Sequence, residues 1–461
     1  MMLIKRLFCY VLITVLASWT LLFLWWNFSG SPTPHSEWTC EGEGRNQMCE
    51  FSNFCVSRYH GPFIVSENEP PSINLINTGQ GEDMWFKPKR LARHTGARFI
   101  NETIFVYGFY SPFHFSHYLY NGLMPLYSTM MEKGATASSW TFRGATYWNK
   151  HTKLDMDIPS GSDIVPDDED VLTEKQLSPP YKPICFAKAV VGTGDRCSLW
   201  YCDRQIPAAH YESFKSHIFS QPYTDAQCPS VTYKSDGSTR IGILNRGKSR
   251  HITNIPELID KLKALDVSIK TIDFDSGCDL KNTAHLVKDL DVLIAPFGNA
   301  LGAGLFMKNN SVVISIASRW YNEDWFKWPM TAIGRRIYNF ECNDAACQEY
   351  DRKLLEKLLA DHDAVLNEGE MQQLLTQQNP VDVLSKYIPG KEWEIIEQYH
   401  KDVSRRINVD AFIPFLNDIL KVDARNISYV ELCHSQHCCD NDCAGPLERN
   451  VFGTHSAWLS K

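Results

Sequence analysis

Arg246, Lys248 and Arg250 crowd one turn directly after the apolar run Ile241-Gly242-Ile243-Leu244. Guanidinium forks grip phosphate oxygens two at a time and an ammonium adds a point charge, so this turn could hold a diphosphate. Three exposed cations can equally do no more than solvate a loop. Further along, Gly298-Asn299-Ala300 follows a second apolar run, Asp291 to Ala295. Small residues at a strand exit let backbone N–H groups approach a ligand closely, and a helix starting there favours an anion. Neither G-x-G-x-x-G nor G-x-x-x-x-G-K-[ST] occurs here, which removes support for a dinucleotide oxidoreductase or a P-loop.

Deprotonating a hydroxyl needs a base with a near-neutral pKa, and His114 and His117 are of the right type. Their spacing puts both on one helical face if a helix already runs there. A zinc site would need a further ligand, and a buried structural histidine is the alternative. Asp273-Phe274-Asp275 has the form that can hold Mn²⁺ against phosphates. The same pattern recurs at Asp155/Asp157, Asp168/Asp170, Asp289/Asp291 and Asp440/Asp442, so it only leaves Mn²⁺ open as a cofactor. Cys433, His434, His437, Cys438, Cys439 and Cys443 offer zinc-ligand types, but disulfides are the expected fate in an oxidising compartment.

These side chains need a scaffold, and from Arg240 onward the pattern supplies one. Strand Ile241–Leu244 leads to a helix starting near Pro256, with Glu257 in its first turn. Strand Val267–Asp273, helix Thr283–Leu290, strand Asp291–Ala295, helix Leu301–Met307 and strand Val312–Ile316 follow. Alternation of this kind predicts a parallel sheet with ligands at the carboxyl ends of its strands, where Arg246 and Gly298 both fall. Upstream, strands are expected at Phe63–Val65, Thr103–Tyr107 and within 183–192, and a helix over His117–Met131. Residues 140–180, with the run Asp167-Asp168-Glu169-Asp170, read as a solvated surface insertion without a function. After Tyr350 the chain is mostly helical.

Length and composition set the frame. At 461 residues the chain can build two cores, and 44% hydrophobic with 22% charged residues is ordinary for a globular protein. A net charge of −8 argues against a general nucleic-acid binder. Leu7–Trp26 carries no charge, follows Lys5 and Arg6, and closes on Trp25 and Trp26. At ~1.5 Å per residue it is long enough to span a bilayer as a helix, leaving the bulk of the chain luminal or extracellular. A cleaved signal peptide is the alternative. Of 15 cysteines only Cys9 lies in that run, and Asn27, Asn101, Asn309 and Asn426 each open an N-x-S/T sequon. Asn27 stands too near the bilayer for modification, which leaves Asn101, Asn309 and Asn426 as glycosylation candidates.

Several blocks together resemble glycosyltransferase family 61, which includes xylosyltransferases and luminal O-linked N-acetylglucosaminyltransferases. They are the Cys40…Cys49-Glu-Phe-Ser-Asn-Phe-Cys55 segment, Ser116-His117-Tyr118-Leu119-Tyr120-Asn121-Gly122-Leu123-Met124-Pro125-Leu126, and Cys185-Phe186 with Gly192. The last block is Arg246…Arg250 with Asn254, followed by 293–306 and 312–316. The resemblance implies an α/β, GT-B-like fold of two Rossmann-type domains facing a cleft, after an N-terminal transmembrane helix. It also implies an inverting transferase with a UDP-sugar donor. His117 and Asn121 fall in the family's first-domain motif, Arg246 and Arg250 match its donor-side arginines, and Gly298 and Asn299 its donor loop. Lys248 joins the arginines as a diphosphate cation. Phe297 stands where the family usually has His, and Ser315 where it usually has Glu.

The expected organisation is a cytosolic tail at 1–6, a type II signal-anchor at 7–26 and a stem with a Cys-rich segment at 27–60. An acceptor-side domain at 61–235, a donor-side Rossmann-like domain at 236–345 and a helical region with a Cys-rich tail at 346–461 complete it. The expected enzyme sits in the Golgi or endoplasmic-reticulum membrane and moves xylose or N-acetylglucosamine from a UDP-sugar to a glycan or glycoprotein. The alternative is a non-catalytic luminal glycan-binding protein on the same scaffold.

Overall fold

A computed structural model describes residues 33–421 except 58–59, 76–84, 109–114, 135–182, 193, 195, 198–203, 221–227, 248–249, 276–279, 318–325, 327–328, 331–332, 342–347, 350–351, 377–382 and 392–401. The apolar run Leu7–Trp26, His114, the insertion at 140–180, Lys248, Asn426 and the cysteine-rich tail therefore lie outside the described residues. Among the described residues no helix is long and apolar enough to cross a membrane. The chain divides into two compact units. The first holds the chain up to Tyr110 and most of Thr129–Arg196; the second holds Ser111–Ser128 and the chain from Cys197. The segment carrying His117 and Asn121, expected within a domain at 61–235, thus groups with the second unit.

The first unit is built on six strands: β1 Trp38–Glu41, β2 Met48–Ser57, β3 Gly61–Val65, β4 Lys89–Leu91, β5 Arg98–Val106 and β6 Ile184–Val191. Their order is β4-β3-β2-β6-β5, with β1 on β2. Short turns join β1, β2 and β3, and short turns force antiparallel pairing, so β2 runs against β1 and β3; it also runs antiparallel to β6, far away in the chain. Only β3–β4 and β5–β6 are parallel. This corrects the expectation of two Rossmann-type domains, because the first sheet is mixed. Two disulfides staple it, each joining residues directly opposite in register: Cys40–Cys49 across β1–β2 and Cys55–Cys185 across β2–β6.

The second unit carries the parallel sheet. Its strands are β7 Ser230–Lys234, β8 Thr239–Asn245, β9 Val267–Asp273, β10 Val292–Pro296, β11 Val312–Ala317 and β12 Arg336–Glu341. The order is β7-β9-β8-β10-β11-β12. All neighbours are parallel except β7, which runs antiparallel along the edge. Every residue of β10 and β11 is buried, because helices and loops cover both faces of such a sheet. From β8 the chain moves outward to β9, then returns past β8 to β10. The strand order therefore reverses between β8 and β10, the place where open α/β sheets bind ligands.

Helices α1 (residues 115–132), α2 (Ala208–Ser220), α3 (Ile255–Leu262) and α4 (Leu280–Val287) follow in chain order. Pro256 and Glu257 open α3 as expected. The predicted helix at 301–307 is a 3₁₀ segment, Asn299–Phe306, which begins directly after Gly298. Beyond the sheet, α5 (Arg352–Ala360) and α6 (Glu368–Leu375) share a small core of their own. The last helix, α7 (Val409–Lys421), places Phe412, Phe415, Leu416 and Ile419 on one face and packs them on Tyr338 and Phe340 of β12.

Candidate functional site

The basic turn leaves β8 at Asn245, whose side chain closes it. Oδ1 accepts from the Ile252 N–H at 2.9 Å, and Nδ2 donates to the Ile252 carbonyl at 3.2 Å. Within the turn, Arg246 Nε donates to Asp275 Oδ1 at 3.3 Å and the Gly247 N–H to Asp275 Oδ2 at 2.9 Å. Asp275 thus fixes the start of the turn. Of the D-x-D pair, this carboxylate is committed to Arg246 and Gly247, and among the described residues no group of three or more His, Cys, Asp or Glu side chains could hold a metal ion.

Arg250 closes the turn in a left-handed conformation (φ 55) and is buried. Its Nε donates to Asp402 Oδ1 at 2.8 Å and its N–H to the Asp402 carbonyl at 3.2 Å. The guanidinium lies against the loop after β10. Gly298 there has φ 128 and ψ −151, a region open only to glycine, and a Cβ on it would sit 2.5 Å from Arg250 Nη1. The two strand-end loops therefore touch through Arg250 and Gly298.

The N-terminal part of α1 docks on the same loop. The Ser116 hydroxyl donates to the Asn299 carbonyl at 2.8 Å and the Ser116 N–H to Asn299 Oδ1 at 3.3 Å. Tyr120 donates to the Gly302 carbonyl at 3.2 Å, and a Cβ at Gly302 would approach Ser116 Oγ to 2.6 Å. Phe115 meets Phe274, the neighbour of Asp275, edge-on at 5.3 Å. Residues Tyr118–Leu123 form a π-helical turn, an irregularity frequent at functional sites. His117, just before it, has Nδ1 2.9 Å from Asn121 Oδ1 within it. Because an amide oxygen only accepts, Nδ1 is the donor of this pair.

The structure thus gathers His117, Asn121, Asn299, Gly298 and Arg250 into one continuous set of contacts in the second unit, with Arg246 on the adjoining turn. Ser116, Tyr120 and Asp402 take part without having been singled out as site residues, and Asp275, considered only as half of a D-x-D pair, takes part by holding the basic turn. Ser116 and Tyr120 stood inside the quoted α1 motif, whereas nothing local distinguishes Asp402, which is 152 residues from Arg250.

The two departures from the family pattern are both interior. Phe297 is buried and meets Phe326 edge-on at 5.9 Å; Phe326 in turn meets Tyr120 at 6.4 Å. Ser315 is fully buried in β11, and its hydroxyl has no hydrogen-bond partner among the described residues. Burial holds the Tyr120 phenol well above its ordinary pKa, with Tyr211 pushing the same way and Arg335 opposing. Tyr120 therefore acts as a neutral hydrogen-bond donor. Of the sequons, Asn101 is exposed on β5 and Asn309 is exposed in the turn before β11.

No curated protein matches the chain. Residues 115–314 match the family model Glycosyltransferase 61, and the match takes in His117, Asn121, the basic turn and the Gly298 loop. That region, from the start of α1 to the middle of β11, belongs to glycosyltransferase family 61.

Proposed function

We propose that this chain is a type II membrane glycosyltransferase of the Golgi or endoplasmic reticulum that moves xylose or N-acetylglucosamine from a UDP-sugar to a glycan or glycoprotein hydroxyl with inversion. One observation carries the reading. The Ser116–Asn299 hydrogen bonds bring a His–Asn pair to the loop at the strand-order reversal, where a nucleotide would bind. The second unit, with its parallel sheet, then serves as the donor-binding half of the enzyme. The charge-free run Leu7–Trp26 supports the anchor, and the disulfides support an oxidising lumen.

In this reading the acceptor hydroxyl attacks the anomeric carbon as the bond to UDP breaks. His117 Nε2 takes the hydroxyl proton, and Asn121 holds the ring in that tautomer. The departing diphosphate is met by the terminal nitrogens of Arg246 and Arg250, by Lys248, and by backbone N–H groups at the start of the 3₁₀ segment. A bound Mn²⁺ would supply further charge neutralisation at the diphosphate.

The test is a screen of UDP-xylose and UDP-N-acetylglucosamine with the soluble luminal part, with and without EDTA. Thermal stabilisation by UDP and turnover of one donor are expected. Absence of both would sink the reading. The buried Phe297 and Ser315 favour a second one, a glycan-binding protein without turnover. It predicts glycan binding that UDP does not alter.

A further inference from the structure

The region matched by the family model ends at residue 314, yet the basic turn is held by a strap well beyond it. Residues 402–407 run alongside 250–254. The Arg405 N–H donates to the His251 carbonyl at 2.9 Å, and the Thr253 N–H donates to the Arg405 carbonyl at 2.9 Å. Ile252 and Arg405 form a parallel bridge. The Asn254 side chain exchanges two hydrogen bonds with the Ile407 backbone, at 2.8 and 2.9 Å. Ser404 Oγ lies 3.0 Å from His251 Nδ1. These contacts fix the backbone of the turn, and at its head the strap supplies a carboxylate. The Asp402 carboxylate accepts from Arg250 Nε, and the Asp402 backbone carbonyl accepts from the Arg250 N–H.

A guanidinium is a rigid plane, so holding its Nε edge and the backbone of the same residue sets where its terminal nitrogens point. Here Nη1 lies 2.5 Å from where a Cβ on Gly298 would sit, so it is packed against that glycine. Arg250 also adopts a left-handed backbone that an unbranched chain enters only when its surroundings demand it. We propose that Asp402 is a positioning residue for nucleotide binding. By gripping Arg250 along one edge, it aims the terminal guanidinium nitrogens at the loop after β10, where the diphosphate of the donor would lie. The assignment rests on the UDP-sugar reading above.

The experiment is UDP binding by calorimetry on the soluble luminal part of the wild type, D402A, R250A and the double variant, with thermal unfolding of each. D402A is expected to weaken UDP binding about tenfold, the loss typical of one charge-assisted hydrogen bond. The double variant is expected to bind no more weakly than R250A, because Asp402 acts through Arg250. D402N, whose Oδ1 still accepts from Nε, should bind within about threefold of the wild type. D402S, which is too short to reach Nε, replaces D402A in the same cycle if D402A does not fold. A merely architectural Asp402 would lower the unfolding temperature and leave UDP affinity unchanged; that outcome, or losses that add in the double variant, overturns the assignment. A wild type that does not bind UDP removes the donor reading itself, and the assignment with it.

Discussion

At the scale of single residues, the site depends on which atom of each side chain is already engaged. His117 Nδ1 lies 2.9 Å from Asn121 Oδ1, so in the proposed mechanism Nε2 is the nitrogen that takes the proton. H117A is expected to reduce sugar transfer by a factor of about 10² to 10⁴ and to leave UDP binding nearly unchanged. N121A should lower turnover less, about tenfold, by releasing the ring from one tautomer. Single-turnover rates beside UDP affinities check both, and equal losses in rate and affinity would remove His117 from the proton-transfer role. Gly298 is constrained twice over, by its backbone angles and by Arg250. G298A is expected to cost about 1–3 kcal/mol of stability, measured by urea unfolding, and to weaken UDP binding as Arg250 is displaced.

At the scale of elements, the coupling of α1 to the loop after β10 is the feature on which the reading depends. Ser116, Tyr120 and the small residue at Gly302 make that junction, and the π turn places His117 and Asn121 one above the other. Y120F removes a buried donor from the Gly302 carbonyl and should cost about 1–2 kcal/mol in unfolding free energy. In the first unit, His94 sits between β4 and β5. Burial holds its pKa below the ordinary 6.5, with His60 adding to the shift, and its Nδ1 lies 3.3 Å from Thr33 Oγ1. The unfolded chain therefore takes up the proton first as the pH falls. Stability conferred by neutral His94 is present above about pH 6.5 and is lost below it, as the pH approaches the depressed folded value. Thermal unfolding across this range should show the drop, and H94Q should flatten it. An unchanged slope in H94Q would rule out His94 as the source.

At the scale of the whole molecule, a stapled mixed sheet and a parallel α/β sheet form separate units of one chain. Cys55–Cys185 closes a span of 130 residues and Cys40–Cys49 a span of 9. On chain-entropy grounds, removing the longer closure should cost about 2 kcal/mol more than removing the shorter. Denaturation of the two double-alanine variants tests this order. Sequence alone foresaw the four inner strands of the parallel sheet, and β10 and β11, buried along their length, read as continuous apolar runs: β9 matches its predicted span, while β8, β10 and β11 differ from theirs by one or two residues at one or both ends. The resemblance to glycosyltransferase family 61 was legible there too, and the family model matches residues 115–314. Pairing direction in the first unit was not legible, since an apolar run does not state which neighbour it will face. Only the tertiary structure placed residues 115–128 with the second unit and packed Phe297 against Phe326. Asp402 met Arg250 only there too, because hydrogen bonds between residues so far apart leave no periodic or local trace in the chain.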